Sequence, residues 1–299
     1  MEISIFFFRM SISPIAVVLD MDHRWWSIDD RSWVIDSVTF YLAAMGQSLP
    51  PGGSLKVVVV AAFPDRAEVI VSGDWKCASQ LRKCLVEKVE ISAKNYNNFE
   101  SPIGQAVSRA MCFLNKHAVA RNPGRVIVFE CSIDPTDFAS QSVALSNCGW
   151  AAVGEQSPLA RIHTVSLASE SPASALLALT AKTGGVNIPF SLVQSQGSML
   201  QSLFFHLASP SECVDKLLKT RPQPASVHMG TVCVCHNRSI DKGYVCSICL
   251  GIYCSDSAGI CAVCGSRIRR EAKDELPISA QVFEKLFDSA VASAGIFLS

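Results

Sequence analysis

Seven of the chain's 13 cysteines, Cys233, Cys235, Cys246, Cys249, Cys254, Cys261 and Cys264, fall in one short stretch. Within it, Cys246-Ser247-Ile248-Cys249 and Cys261-Ala262-Val263-Cys264 form two Cys-x-x-Cys knuckles. Each knuckle supplies two soft sulfur donors, and four thiolates at this spacing close a tetrahedral shell around zinc. The knuckles stand closer together than in the common zinc ribbon, which suits an interleaved second ligand set. Cys233-Val234-Cys235-His236 upstream and Cys254 between the knuckles supply that set, in a cross-braced, RING-like order where two sites share alternate pairs. The first set predicts one zinc ion; whether the second set holds another is left open. Four protein ligands leave no position for water or substrate, so the zinc is expected to be structural. A module with so little apolar material needs the roughly 10 to 16 kcal/mol that metal binding supplies in order to fold. A redox role fits less well, because neither pair opens a helix after a strand as a thioredoxin-type motif does.

Other residues with chemical capacity are sparse. Asp20-Met21-Asp22-His23-Arg24 resembles, in its place after the first strand, the Asp-x-Ser-x-Ser loop with which von Willebrand A domains bind magnesium. Here Arg24 replaces the second serine, and a guanidinium has no lone pair for a cation. Asp20, Asp22, Ser101 and Asp134 are oxygen donors that could converge, but no magnesium is assigned, and the acidic loop reads as a cap or a contact surface. Trp25, Trp26 and Trp33 crowd the same region, where packing over the sheet edge is the commoner fate. His117, His163, His206 and His228 have no nucleophile at a recognisable spacing. There is no Gly-rich phosphate loop, Gly-x-Ser-x-Gly elbow or His-Glu-x-x-His pair. No catalytic residue is assigned.

The elements that must position these residues follow from periodicity. Ile15 to Leu19, Leu55 to Ala62, Arg125 to Phe129 and Ile162 to Leu167 are apolar runs of buried parallel strands, and Glu68 to Val71 reads as an antiparallel hairpin partner. Helices are expected after Ser32 as N-cap, after Ser101 with Pro102 at the first helical position, from Ala173 to Thr183, and near Met199 to Leu207. Alternating strands and helices predict an α/β fold, a doubly wound, mostly parallel sheet with a small C-terminal zinc-binding module. Ligands of such sheets sit at the carboxyl ends of the strands, which singles out the loops after Leu19, Ser101 and Cys131. The expected division is a sheet domain at 11–209, a linker at 210–230, the zinc module at 231–268 and a tail at 269–299. The tail carries a candidate amphipathic helix from Ser279 to Ala292.

Composition limits the function classes. The 299 residues are 49% hydrophobic and 17% charged, which excludes disorder of the whole chain. Lys plus Arg (26) balances Asp plus Glu (26), so the broad basic footprint of a protein that grips nucleic acid alone is missing. Arg267, Arg269 and Arg270 read as a solvated face. No apolar run is long enough for a membrane span, and Ile3 to Phe8 lacks the basic leader and cleavage site of a secretory signal. An intracellular protein is expected, and the isolated Cys77, Cys84, Cys112, Cys131, Cys148 and Cys213 read as buried small hydrophobes.

Taken together, the degenerate A-type sheet domain, the linker, Cys-Val-Cys-His and the run Gly243-Tyr244-Val245-Cys246-Ser247-Ile248-Cys249-Leu250-Gly251-Ile252-Tyr253-Cys254 resemble the Tfb4-type subunits of the transcription and nucleotide excision repair factor TFIIH. Trp25-Trp26, the helix from Ser101 to Leu114 and Thr183-Gly184-Gly185 extend the likeness, whereas the Asp20 loop and the stretch from Asp134 to Glu155 depart from it. The resemblance implies a non-catalytic, nuclear subunit of the TFIIH core. It further implies partners among the other core subunits, chiefly the larger subunit that joins an A domain to a RING finger, with no sequence-specific nucleic acid contact and no membrane. A RING-type ubiquitin ligase module is the alternative; against it, the first pair is Cys-x-Cys and the Cys-x-His third pair is missing. An adhesion module would need a signal peptide and an intact Asp-x-Ser-x-Ser loop, and has neither.

Overall fold

Ile15–Asp20 (β1) is buried at every residue, as a strand covered on both faces must be. A one-turn helix, His23–Trp26 (α1), follows, then Ser32–Gln47 (α2), Lys56–Phe63 (β2) and Arg66–Asp74 (β3). Next come Ile103–Lys116 (α3), Gly124–Glu130 (β4), Ser142–Val153 (α4), Ala160–Ser166 (β5), Ser174–Lys182 (α5), Asn187–Ile188 (β6) and Gln196–Leu203 (α6). The computed structural model describes residues 13–26, 31–49, 53–75, 82–84, 86–87, 101–117, 123–131, 138–154, 159–170 and 173–208. Beyond them it describes 231–233, 235–236, 238–240, 242–246, 251–254, 259–261 and 265–267. The chain divides into two compact units, Met1–Met229 and Gly230–Ser299.

The first unit is the expected doubly wound α/β sheet. Its six strands run in the order β3-β2-β1-β4-β5-β6, all parallel except the edge strand β3. Alternation along each strand sorts side chains between two cores. Ile15, Val17 and Leu19 join Val57, Val59, Ile127 and Phe129 beneath α2 and α6. Ala16 and Val18 join Val58, Val60, Val126 and Val128 beneath α3, α4 and α5. Strand β1 lies between β2 and β4, so the strand order reverses at β1, and its carboxyl end opens on the crevice where such sheets place ligands. At the end of α5, Gly184 takes φ 63°. A Cβ on the neighbouring Gly185 would lie 1.8 Å from the Ile162 carbonyl oxygen, so only glycine lets this helix end sit against β5.

Several local expectations are corrected. Ser32 is the first helical residue; Arg31 holds the cap position without a side-chain cap bond. Pro102 is itself the cap, with the helix starting at Ile103. Helix α4 was not expected, because its buried positions Leu145, Cys148, Gly149 and Ala152 are mostly small and leave no strong apolar stripe. Cys131 and Cys148 are buried as anticipated, but Cys84 is only half-buried and Cys112 is exposed on the outer side of α3. Cys77 and Cys213 lie outside the described residues, as do Asp134, His228, the linker and the C-terminal candidate helix. Among the described residues no helix is long and apolar enough to cross a membrane.

Candidate metal centre

The second unit is built on two short antiparallel hairpins. Thr231–Val232 (β7) pairs with Ser239–Ile240 (β8), and Tyr244–Val245 (β9) pairs with Ile252–Tyr253 (β10). One backbone turn recurs three times in it. The amide of Cys233 donates to the Arg238 carbonyl at 2.9 Å, that of Cys246 to Gly251 at 2.9 Å, and that of Cys261 to Ser266 at 2.7 Å. Each bond spans five residues and folds the chain back on a leading cysteine, so local sequence alone presents three donor-bearing turns. Gly243 lets the hairpins meet: a Cβ there would come within 2.8 Å of both Ile252 and Ile240.

These turns bring Cys233, Cys235, His236 and Cys254 together, their ligand atoms all within 4.8 Å of one another. The His236 Nδ1 lies 3.0 Å from the Cys235 Sγ, 3.2 Å from the Cys254 Sγ and 3.9 Å from the Cys233 Sγ. Cys235 and Cys254 are 3.5 Å apart, Cys233 and Cys235 2.7 Å. Zinc–sulfur bonds of about 2.3 Å and zinc–nitrogen bonds of about 2.0 Å give tetrahedral edges of roughly 3.5 to 3.8 Å, so the set fits zinc once its closest pair opens. The cluster also favours a thiolate. Burial opposes the anion at Cys233, but hydrogen bonds from Cys235, His236 and the Cys254 amide outweigh it and hold the thiol at about 6. The side-chain hydrogen bonds to Cys233 and Cys235 push Cys254 up to about 11, so protons leave the group one at a time. A divalent cation would replace them together, which couples its binding to pH.

Of the four ligands expected for the first zinc, Cys246 and Cys261 are described and Cys249 and Cys264 lie outside the described residues. Cys246 and Cys261 are buried in one small cluster with Tyr253. The Tyr253 hydroxyl lies 2.9 Å from the Cys261 Sγ, and the Cys246 Sγ 3.5 Å from the Ser266 Oγ. Tyr253 and Ser266 were not anticipated, since neither belongs to a ligand motif. In the β9–β10 hairpin Cys246 stands at the turn end and Cys254 at the open end. Cys246 and Cys254 therefore flank one hairpin from opposite ends.

The crevice of the sheet domain holds a different arrangement. Asp20 is buried and accepts three hydrogen bonds: from the Ser101 hydroxyl at 2.6 Å, the Cys131 amide at 3.0 Å and the Asp22 amide at 3.2 Å. Asp22, Ser101 and Cys131 thus converge on the carboxylate of Asp20, while residues 132–137 lie outside the described residues. Desolvation raises this carboxyl to about 7, against the lowering effect of its Ser101 and Cys131 bonds. Trp26 donates its indole N–H to the Asp20 carbonyl at 2.8 Å, and Trp25 and Trp26 are buried in the core beside it. Gln141 ties the crevice together, donating to the Ser101 carbonyl at 2.8 Å and accepting from the Gly104 amide at 2.7 Å; no motif marked it. His163 and His206 are buried, and His163 accepts the Val186 amide at 3.0 Å. Arg267 is exposed and bridges to Ile260, while Arg269 and Arg270 lie outside the described residues.

The chain matches the crystal structure of the TFIIH p34 N-terminal domain with a TM-score of 0.52 at 19% identity, covering 65% of itself and 98% of the p34 domain. That likeness speaks to the fold alone. In sequence, the chain is 26% identical over 181 residues to general transcription factor IIH subunit 3 of Dictyostelium discoideum, covering 60% of itself and 45% of that protein. It is 30% identical over 173 residues to general transcription and DNA repair factor IIH subunit tfb4 of Schizosaccharomyces pombe, covering 56% and 52%. The chain thus spans about half the length of the curated relatives it matches. The family model for transcription factor Tfb4 matches residues 72–265, from the edge strand through the last cysteine knuckle, and the chain belongs to that family.

Proposed function

We propose that this chain is a non-catalytic structural subunit of the TFIIH core, acting in the nucleus in RNA polymerase II transcription initiation and nucleotide excision repair. Its work there is protein–protein scaffolding, chiefly of the larger subunit that joins an A domain to a RING finger. The observation that carries this reading is the family match over 72–265, which runs from the end of β3 through β4, β5 and β6 and on through the finger. The crevice agrees with it: the Asp20 carboxylate is turned inward onto Ser101 and two backbone amides.

The division proposed is a sheet domain at 11–209, a linker at 210–230, a finger at 231–268 and a tail at 269–299. In the finger, Cys233, Cys235, His236 and Cys254 would hold one zinc ion and Cys246, Cys249, Cys261 and Cys264 another. Zinc so bound supplies four strong cross-links per site and no open coordination position. The protein's own residues do the rest: the three cysteine-led turns orient the donors, and Tyr253 packs with Cys246 and Cys261.

The test is purification of the tagged full chain from its own cells at high salt, followed by mass spectrometry. Co-purification of TFIIH helicase and RING-bearing subunits in fixed ratio supports the proposal; recovery of the chain alone contradicts it. The alternating order of the two donor groups favours a second reading, a RING-type ubiquitin ligase module. Discharge of ubiquitin from a charged conjugating enzyme by the full chain, lost in Cys254→Ala, would establish that reading.

A further inference from the structure

Helices α3 and α4 lie side by side on one face of the sheet and run in step. A Cβ on Gly104 would stand 3.2 Å from the Ala144 Cβ, and one turn further along both helices the Ser108 Oγ lies 3.2 Å from the Cys148 Sγ. Small residues at these levels let the two backbones come close. The Ser108 hydroxyl donates to the Gly104 carbonyl at 2.8 Å. The hydrogen between Ser108 and Cys148 therefore belongs to the thiol, which donates to the Ser108 oxygen.

Cys112 stands one further turn along the Ser108 row. Residues four apart on a helix hold their Cβ atoms about 5 to 6 Å apart, so Cys112, the one cysteine of α3, lies at the groove that Cys148 enters. The two thiols differ in access: Cys112 is exposed and Cys148 is buried. Burial pushes the Cys148 thiol up, and charge at Cys112 adds to the rise, so the two sulfurs act on one another across the groove. An exposed thiol beside a buried, protonated one is the arrangement in which the first takes up an oxidant and the second resolves the product.

We infer that Cys112 and Cys148 form a peroxide-responsive thiol pair that closes into a disulfide between α3 and α4. The Cys112 thiolate attacks a peroxide oxygen, the O–O bond breaks, and hydroxide leaves, which the proton shed by Cys112 turns to water. Cys112 is left as a sulfenic acid. The Cys148 sulfur then attacks the Cys112 sulfur and expels hydroxide, which takes up the Cys148 thiol proton as a second water. In sum two thiols lose two electrons and two protons, and hydrogen peroxide is reduced to two waters. A disulfide holds its Cβ atoms about 4 Å apart, so the bond fixes the two helices at the close approach that Gly104 and Ala144 already make. The helices so clamped are the two whose starts meet at the crevice, through the bonds of Gln141 with the Ser101 carbonyl and the Gly104 amide.

The test treats the reduced full chain with an equimolar amount of hydrogen peroxide, blocks the remaining thiols with N-ethylmaleimide in denaturant, and sequences the unreduced digest by tandem mass spectrometry. A peptide in which Cys112 is joined to Cys148 is expected. Cys112 joined to Cys131 or to any other cysteine, Cys112 carried on to the sulfinic acid with Cys148 still alkylated, or both thiols left unoxidised would overturn the inference. In Cys112→Ser, a change at an exposed position, loss of the free Cys148 thiol is expected to slow about tenfold; an unchanged rate would overturn the order in which the two react.

Discussion

The central strand Ile15–Asp20 and the hairpin Tyr244–Tyr253 both use Val and Ile, yet they hold their places by different means. The strand is covered on both faces, with Ile15 through Val18 at 0% exposure. In the hairpin Tyr244 is 50% and Val245 47% exposed, and among the described residues Cys246 and Tyr253 are buried in a small cluster with Cys261. The sheet domain therefore has side-chain burial to set against its conformational entropy, whereas the finger has donor atoms. Even the polar centres follow this division. Burial pushes the Asp20 carboxyl up to about 7 against the hydrogen bonds it accepts, whereas the Cys233 group gathers sulfurs and an imidazole that favour a cation.

Variants can break or sharpen that contrast. The largest effect is expected from Cys233→Ala, which removes a donor from a group whose metal binding supplies on the order of 10 kcal/mol of folding energy. Loss of the zinc bound by that group and of amide protection in the finger, with the sheet domain's tryptophan fluorescence unchanged, is the expected outcome. Next, Leu114→Ala opens a cavity beneath α3, where Leu114 is fully buried. It is expected to cost the sheet domain about 2 to 5 kcal/mol in urea unfolding and to leave zinc content alone.

The third concerns pH. Asp20 is raised from 3.8 to about 7 in the folded chain, so between those values the native state holds a proton that the unfolded chain has released. Stability from this group is therefore full below pH 4, falls as pH rises, and levels off above 7. Wild type minus Asp20→Asn should show that slope, on the order of 1 to 4 kcal/mol across the window, by denaturation at a series of pH values. The smallest effect is Ser195→Ala. Ser195 and Ser198 form a reciprocal capping box at the start of α6, and losing it should cost about 1 kcal/mol in the same assay.

The same contrast governs what could be read from sequence. Long apolar runs such as Val57–Ala62 have one physical solution, a buried strand, and both the sheet and its crevice were legible from them. Helix α4 was not, because small residues such as Cys148 and Gly149 pack closely without an apolar stripe. Cys112 misled for the related reason that a cysteine's type does not reveal which side of a helix it occupies. In the finger, spacing identified the donors, and the mixed group of Cys233, Cys235, His236 and Cys254 is the one whose four members the structure brings together. What spacing could not reveal was support from outside the motifs: Tyr253 against Cys261, and Gln141 bridging Ser101 and Gly104.

The division between a sheet held by burial and a finger held by metal is tested most directly by amide hydrogen exchange on the full chain before and after zinc removal with a strong chelator. The account predicts that protection from Tyr244 to Tyr253 collapses while β1 and β4 exchange as before. If the hairpin stays protected without zinc, or if β1 and β4 lose protection together with it, the division is wrong.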